Sequence, residues 1–254
     1  MGYADKVFDL TGKVVVVTGG SRGLGLQIAT AVARQGADVV IASRKLENCE
    51  EAAKEIKKET GRQTMACQVH VGRWDELDPF VDAVYDRFGK VDVLFNNAGM
   101  SPVYDKLTDV SEKLFDSVVN LNFKGPFRLA ALIGMRMHAA GSGSIINVSS
   151  SGSIRPKGNI IPYAGAKAAL NAMSEGLAEG LGPQVRVNTL MPGTFQTDVS
   201  KAWDFDAVAE DRKRATALQR VGQLPEIIGA ALFLASDASS YTSGTIIRVD
   251  GGMF

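Results

Sequence analysis

The chain is 254 residues long and 45% hydrophobic, with 28 Lys and Arg balanced by 28 Asp and Glu. That length fits one α/β unit whose core needs no staples, and zero net charge excludes the basic footprint of a nucleic-acid binder. Two cysteines, Cys49 and Cys67, have neither metal-ligand spacing nor the density of a secreted scaffold, which suits a reducing cytosol.

No apolar run approaches the length of a membrane helix. The first residues lack a signal-peptide core, and Lys6 stands where myristoylation needs Ser or Thr. The expectation is a soluble cytoplasmic protein that meets neither membrane nor nucleic acid. In chain order, a strand over 14–17 runs into a glycine-rich stretch, 18–25, and a helix over 24–35 that Gly36 closes. Strands over 38–42, 64–71 and 91–95 alternate with helices over 45–59 and 75–87. A long helical stretch lies within 107–140, followed by a strand over 144–148, a helix over 163–181 and a strand over 186–190. The segment 195–223 is charged, Ala-rich and weakly periodic, and reads as a flap over a substrate or as an ordinary surface helix pair, with Asp211-Arg212-Lys213-Arg214 as a solvated helix face. Pro225 opens a helix over 225–235, and a strand over 245–249 completes the order. Cys67, in an apolar stretch, belongs to the core on this reading, and Cys49, in a polar helix, is an incidental thiol.

Several of these strands are apolar without strict alternation, as when helices cover both faces of a parallel sheet. The predicted architecture is a single α/β domain over 1–254. It is a Rossmann-like, doubly wound sheet of about seven parallel strands with helices on both faces.

The stretch Thr18-Gly19-Gly20-Ser21-Arg22-Gly23-Leu24-Gly25 falls where a strand gives way to a helix. Gly19 permits the turn, Gly23 lets backbone approach a phosphate, and Gly25 lets the helix pack closely. The helix N-terminus then offers oriented N–H groups to an anion. Gly19, Ser21, Arg22, Gly23 and Leu24 are therefore assigned to a dinucleotide cradle. An NAD site usually carries an acidic residue at the end of the second strand. Here that strand ends Ile41-Ala42-Ser43-Arg44-Lys45, without a carboxylate. Ser43 and Arg44, with Arg22 approaching from the glycine loop, suit a 2′-phosphate, which arginine grips through a planar fork of donors. The pattern favours NADP (NADPH) over NAD.

Tyr163 and Lys167 are four residues apart and share one face of a helix. A free phenol, near pKa 10, is a poor proton carrier at neutral pH. A neighbouring ammonium lowers that value and makes Tyr163 usable as a general acid/base. Asn147 and Asn188 read as ties between strands, and His138 as a surface residue near a helix end.

With these pieces in place the chain resembles a compact, single-domain short-chain dehydrogenase/reductase, nearly end to end. The resemblance rests on the glycine loop, Asn96-Asn97-Ala98-Gly99, Asn122 in Asn120-Leu121-Asn122, Ser150 in Asn147-Val148-Ser149-Ser150, Tyr163 with Lys167, and Pro192-Gly193 followed by Thr197. The tail, Ser243-Gly244-Thr245 and Val249-Asp250-Gly251-Gly252, resembles the family's closing strand. It implies a hydride transfer between a nicotinamide and a ketone or secondary alcohol. In it Tyr163 moves the proton, Ser150 holds the substrate oxygen, Lys167 lowers the Tyr163 pKa and bonds the nicotinamide ribose, and Asn122 fixes a water in the proton path. It further implies that Asn96, Ala98 and Gly99 line the cofactor's ribose side, that His70 and Val71 lie beside the adenine, and that Pro192, Gly193, Thr194 and Thr197 hold the carboxamide. The alternatives are a catalytically idle dinucleotide-binding sensor or scaffold and a sugar-nucleotide epimerase or dehydratase. Candidate substrates are 3-oxoacyl thioesters, sugar acids, steroids and xenobiotic ketones, with Phe195, Trp203 and Phe205 favouring an apolar pocket. A homotetramer is also implied, supported by the small residues Ala164, Gly165, Ala166, Ala168, Ala169 and Ala172 on one helix and by the apolar tail Met253-Phe254.

Overall fold

The computed structural model describes residues 2–196 and 205–254. Among them, β1 (Val14–Thr18), β2 (Asp38–Ser43), β3 (Thr64–Gln68), β4 (Val93–Asn96), β5 (Gly143–Val148), β6 (Val185–Pro192) and β7 (Ile246–Val249) form one sheet. Its order is β3-β2-β1-β4-β5-β6-β7, and every pair is parallel. Parallel neighbours need crossovers, and helices supply them. Before β1 lies α1 (Tyr3–Val7), and the helices between strands are α2 (Gly23–Arg34), α3 (Leu46–Thr60), α4 (Leu77–Phe88), α5 (Glu112–Val119), α6 (Gly125–Ala140), α7 (Ile161–Leu181), α8 (Phe205–Ala215) and α9 (Ile228–Ala235). The chain winds from β1 out to β3, then returns to β4 and winds the other way to β7. Strand order therefore reverses between β1 and β4, and a crevice opens beyond their carboxyl ends.

Alternate residues of the buried strands feed two cores. Val15 and Val17 pack with Ile28 and Val32 of α2, Ile56 of α3 and Leu234 of α9 on one face. Val14 and Val16 pack with Phe80 and Val84 of α4, Leu129 and Ile133 of α6, and Leu181 of α7 on the other. Burial on both faces explains the missing alternation in the sequence.

Three elements differ from the sequence expectation. β3 stops at Gln68, because the Glu76 carboxylate takes the His70 N–H at 2.7 Å and the Arg73 N–H turns back to the His70 carbonyl at 2.8 Å. The stretch within 107–140 is not one helix. A single turn at Leu107–Asp109 precedes α5, whose first turn Ser111 caps, and a π-helical turn at Asn120–Lys124 joins α5 to α6. The widened turn has two local partners: the Asn122 side chain bonds the Val118 carbonyl at 2.9 Å, and Gly125 packs so tightly that a Cβ there would lie 1.9 Å from the Val71 oxygen. In the proposed flap, 197–204 lie outside the described residues, and α8 carries the run Asp211-Arg212-Lys213-Arg214 that the sequence marks as a helix face, with Arg212 buried where a solvated side chain was expected. The flap's two ends are stapled together, Gly222 donating to the Thr194 carbonyl and Gln196 to that of Gly222, both at 3.0 Å.

Candidate active site

The glycine loop leaves β1 at the crevice. Gly19 has φ +65°, a conformation L side chains rarely adopt, and its N–H bonds the Ala42 carbonyl at 2.7 Å. A Cβ at Gly25 would lie 2.2 Å from the Gly19 oxygen, so only glycine lets α2 approach the loop. Two residues not singled out from the sequence fasten this loop to the β4 end. Thr18 Oγ1 accepts the N–H groups of Asn97 and Ala98 at 3.0 and 3.1 Å. Asn97 Nδ2 donates to the carbonyls of Thr18 and Gly19 at 2.8 and 3.3 Å. No side chain caps α2, leaving its first-turn amides for an anion. The loop therefore fits a dinucleotide's pyrophosphate.

At the end of β2, Ser21 Oγ donates to Ser43 Oγ at 3.0 Å, and Ser43 Oγ also meets Cys49 Sγ at 3.0 Å. Arg22 and Arg44 are exposed, and among the described residues neither has a carboxylate partner. This corner fits a phosphate. One cysteine assignment is overturned by the fold: Cys49 is fully buried beneath Ser43, while Cys67 on β3, partly buried, packs against the core as expected. Helix periodicity turns Cys49 inward despite its polar neighbours. Burial pushes both thiols up, Cys67 to about 11.

Along the crevice, His70 Nδ1 accepts the Gly72 N–H at 3.2 Å, which leaves Nε2 as the protonated nitrogen. Val71 is buried. Asn96 also proves buried, its Nδ2 donating to the carbonyl of Pro126 and to Asn147 Oδ1 at 3.2 and 2.9 Å. Its amide ties β4 to β5 and α6, and the loop contact passes to its neighbour Asn97. Asn147 and Asn188 are ties as expected, bonding Ser174 and the loop before β7. Half-buried His138 bonds the Leu181 carbonyl at 3.1 Å. Across the sheet, Pro192 ends β6, Gly193 packs on Asp250, and the Thr194 carbonyl holds the flap staple. Thr197 and Trp203 lie outside the described residues, as does the Phe205 side chain. Phe195 is buried against Gly222 and belongs to the core among the described residues.

The four proposed catalytic side chains surround Gly99 and the first turns of α7. Asn122 is fully buried, its Nδ2 donating to the Met100 carbonyl at 2.9 Å and its Oδ1 accepting the Met100 N–H at 3.3 Å. A Cβ on Gly99 would lie 2.8 Å from Asn122 Oδ1 and 3.6 Å from Lys167 Nζ, so this glycine lets the two approach one another. Lys167 is only 3% exposed, and its Nζ donates to the Val148 carbonyl at 2.7 Å. The same Nζ stands 6.0 Å from the Tyr163 ring centre. Ser150 follows β5, its Oγ accepting the Gly152 N–H at 3.1 Å. A Cβ on Gly152 would meet both Ser150 Oγ, at 3.4 Å, and Tyr163 Cε1, at 3.7 Å.

Electrostatics here differ from the simple picture of a cation depressing a phenol. Burial takes the Lys167 ammonium down to about 7. Burial likewise pushes Tyr163 up, and the pull in the other direction comes from the Ser150 hydroxyl. A lysine near neutrality is only partly charged at neutral pH, so its hold on the phenol is partial. The arrangement brings a hydroxyl donor, a phenol and an exchangeable proton together at the end of the crevice.

A family model described as enoyl-(acyl carrier protein) reductase matches residues 18–254. The chain is 38% identical over 245 residues to the 3-oxoacyl-[acyl-carrier-protein] reductase FabG of Chlamydia trachomatis, covering 96% of this chain and 98% of the relative. A gluconate 5-dehydrogenase of Burkholderia cenocepacia, solved with NADP and tartrate, superposes with a TM-score of 0.93 at 31% identity over 98% of each chain. A 7α-hydroxysteroid dehydrogenase, solved with NADH and 7-oxo glycochenodeoxycholic acid, superposes at 0.92 and 32% identity over 100% of this chain and 98% of that one.

Proposed function

The chain belongs to the short-chain dehydrogenase/reductase family, and from that membership we propose an NADP(H)-dependent oxidoreductase of ketones and secondary alcohols, with Tyr163 as its general acid/base. The observation that carries the reading is the buried Lys167 ammonium, tied to Val148 and set beneath the Tyr163 ring beside Ser150 and Asn122.

The glycine loop and the first turn of α2 would hold the pyrophosphate, Ser43, Arg22 and Arg44 a 2′-phosphate, and His70 with Val71 the adenine. Ala98, Gly99 and Lys167 would face the nicotinamide ribose, and the backbone of 192–194 with Thr197 the carboxamide. When bound, the dinucleotide supplies or accepts the hydride. The protein's part is proton traffic and orientation. In reduction, Ser150 donates a hydrogen bond to the substrate carbonyl oxygen and Tyr163 gives that oxygen its phenolic proton. Lys167, near the operating pH, replaces the proton lost by Tyr163. Asn122 holds the path by which Lys167 is reprotonated.

NADP use is supported by the absent carboxylate after β2 and by Arg22 and Arg44, which have no carboxylate partner among the described residues. A relative solved with NADP supports it and one solved with NADH does not, so the test is direct. Turnover should be screened with NADPH and NADH against a 3-oxoacyl thioester, a keto sugar acid, a keto steroid and a xenobiotic ketone, with an enoyl thioester alongside. Consumption of NADPH with at least one ketone, faster than of NADH, is the expected result. Reduction of the enoyl thioester alone would overturn the carbonyl chemistry, and preference for NADH would overturn the cofactor assignment. We further propose a cytoplasmic homotetramer. Among the described residues no helix is long and apolar enough to cross a membrane, and large apolar side chains stay exposed on α5, α6 and the C-terminal region, among them Phe115, Phe127, Met135, Leu218 and Phe254.

A further inference from the structure

We propose that Tyr104 is a positioning residue: its hydroxyl anchors a strap, residues 99–104, that holds the first turn of α7, and with it Tyr163, in place against Asn122 and Lys167. A helix begins with N–H groups that lack partners within it. The start of α7 finds none nearby. Ile160, at its N-cap, offers no side-chain acceptor, and Pro162 has no N–H. The Ile161 N–H is instead taken by Tyr104 Oη at 2.9 Å, from 57 positions away in the chain. Tyr163 lies in the same turn, two residues on.

The other end of the strap is fixed at the catalytic groups. Met100 exchanges two hydrogen bonds with the Asn122 amide, and Gly99 lies against both Asn122 and Lys167. Between those bonds and the turn that begins at Lys106, the Tyr104 hydroxyl makes the one hydrogen bond recorded among the described residues. Ser101, Val103 and Asp105 of this stretch are exposed. The strap thus spans from the Asn122 end of the site to the start of the helix that carries Tyr163, and one oxygen closes it. The body of α7 does not depend on that bond. It is 21 residues long and buries Leu170, Ser174 and Leu181. Loss of the hydroxyl should therefore loosen the first turn and leave the helix standing.

This inference rests on the reading of Tyr163 as the acid/base, and the experiment separates the two. Tyr104→Phe removes a single oxygen. Exchange of the Ile161 amide should quicken by about tenfold, the worth of one hydrogen bond, while amides from 164 to 181 keep their rates. The ionisation of Tyr163 is followed by tyrosinate absorbance, isolated by subtracting the same signal in Tyr163→Phe backgrounds. It should move upward, because the Ser150 hydroxyl that pulls it down loses a fixed partner. With a ketone from the screen, kcat should fall about three- to tenfold, within the worth of that bond, at unchanged NADPH Kd. Unchanged exchange at Ile161 would show that the contact holds nothing. Faster exchange with unmoved Tyr163 ionisation and kcat would make Tyr104 a cap without a positioning role. If the unmodified protein reduces no ketone, the proposed function fails, and exchange and ionisation still decide the role of Tyr104.

Discussion

Lys167 shows how a single side chain sets the chemistry at the residue scale. Burial takes its ammonium down to about 7, even though its Nζ donates to the Val148 carbonyl. The sign of the consequence follows. Ketone reduction needs the proton that Lys167 returns to Tyr163, and alcohol oxidation needs a base free to receive one. As pH rises through about 7, kcat/KM for reduction should therefore fall and that for oxidation should rise. Lys167→Met should erase both breaks; profiles of the unmodified protein that stay flat across neutral pH would contradict the assignment. The Tyr163 and Lys167 pair was legible in the sequence, because spacing of four on a helix fixes a shared face. The division of labour between Asn96 and Asn97 was not. Adjacent asparagines look alike in sequence, and only the register of β4 sends one into the sheet and the other to the glycine loop. Cys49 was misread for a related reason, since its polar neighbours occupy the outer face of α3 and say nothing of the inner one.

At the scale of elements, the β-branched runs and the glycine-rich turn announced the strands and the cradle, because each is dictated by local chemistry. The π-helical turn at Asn120–Lys124 was illegible, because the packing that accommodates it is tertiary: Gly125 against Val71. The segment 195–223 is proposed as a lid. Its ends are stapled through Thr194 and Gly222, while α8 reaches the loop after Ser150 through the exposed pair Lys157–Asp211, at 3.1 Å. Exposed ion pairs are worth about 0–1 kcal/mol, so this link costs little to break. Hydrogen exchange in 210–216 should slow when NADPH and a ketone are both bound, as a lid that excludes water requires. Equal exchange in the free and loaded enzyme would exclude a lid there.

At the scale of the whole molecule, the doubly wound sheet was legible from the alternation of elements, and its switch point lies between β1, which runs into the glycine loop, and β4. The proposed assembly draws on α7. Ala164 and Ala166 of α7 face the core, whereas Gly165, Ala168 and Ala172 remain exposed and can admit a second helix. Exposed apolar side chains on α5, α6 and the C-terminal residue Phe254 suit contact with further copies, and closed symmetric assemblies are the usual outcome for soluble oligomers. Light scattering should give four times the single-chain 27.0 kDa, and a mass of one chain would refute assembly. The central claim, that Tyr163 carries the proton in an NADPH-dependent carbonyl reduction, is tested most directly by Tyr163→Phe. The ring stays and only the hydroxyl is lost, so NADPH Kd should be unchanged while turnover falls by about 10²–10⁴-fold, the worth of a positioned acid/base. A variant that keeps more than about a tenth of the native rate, far above that range, would contradict the account.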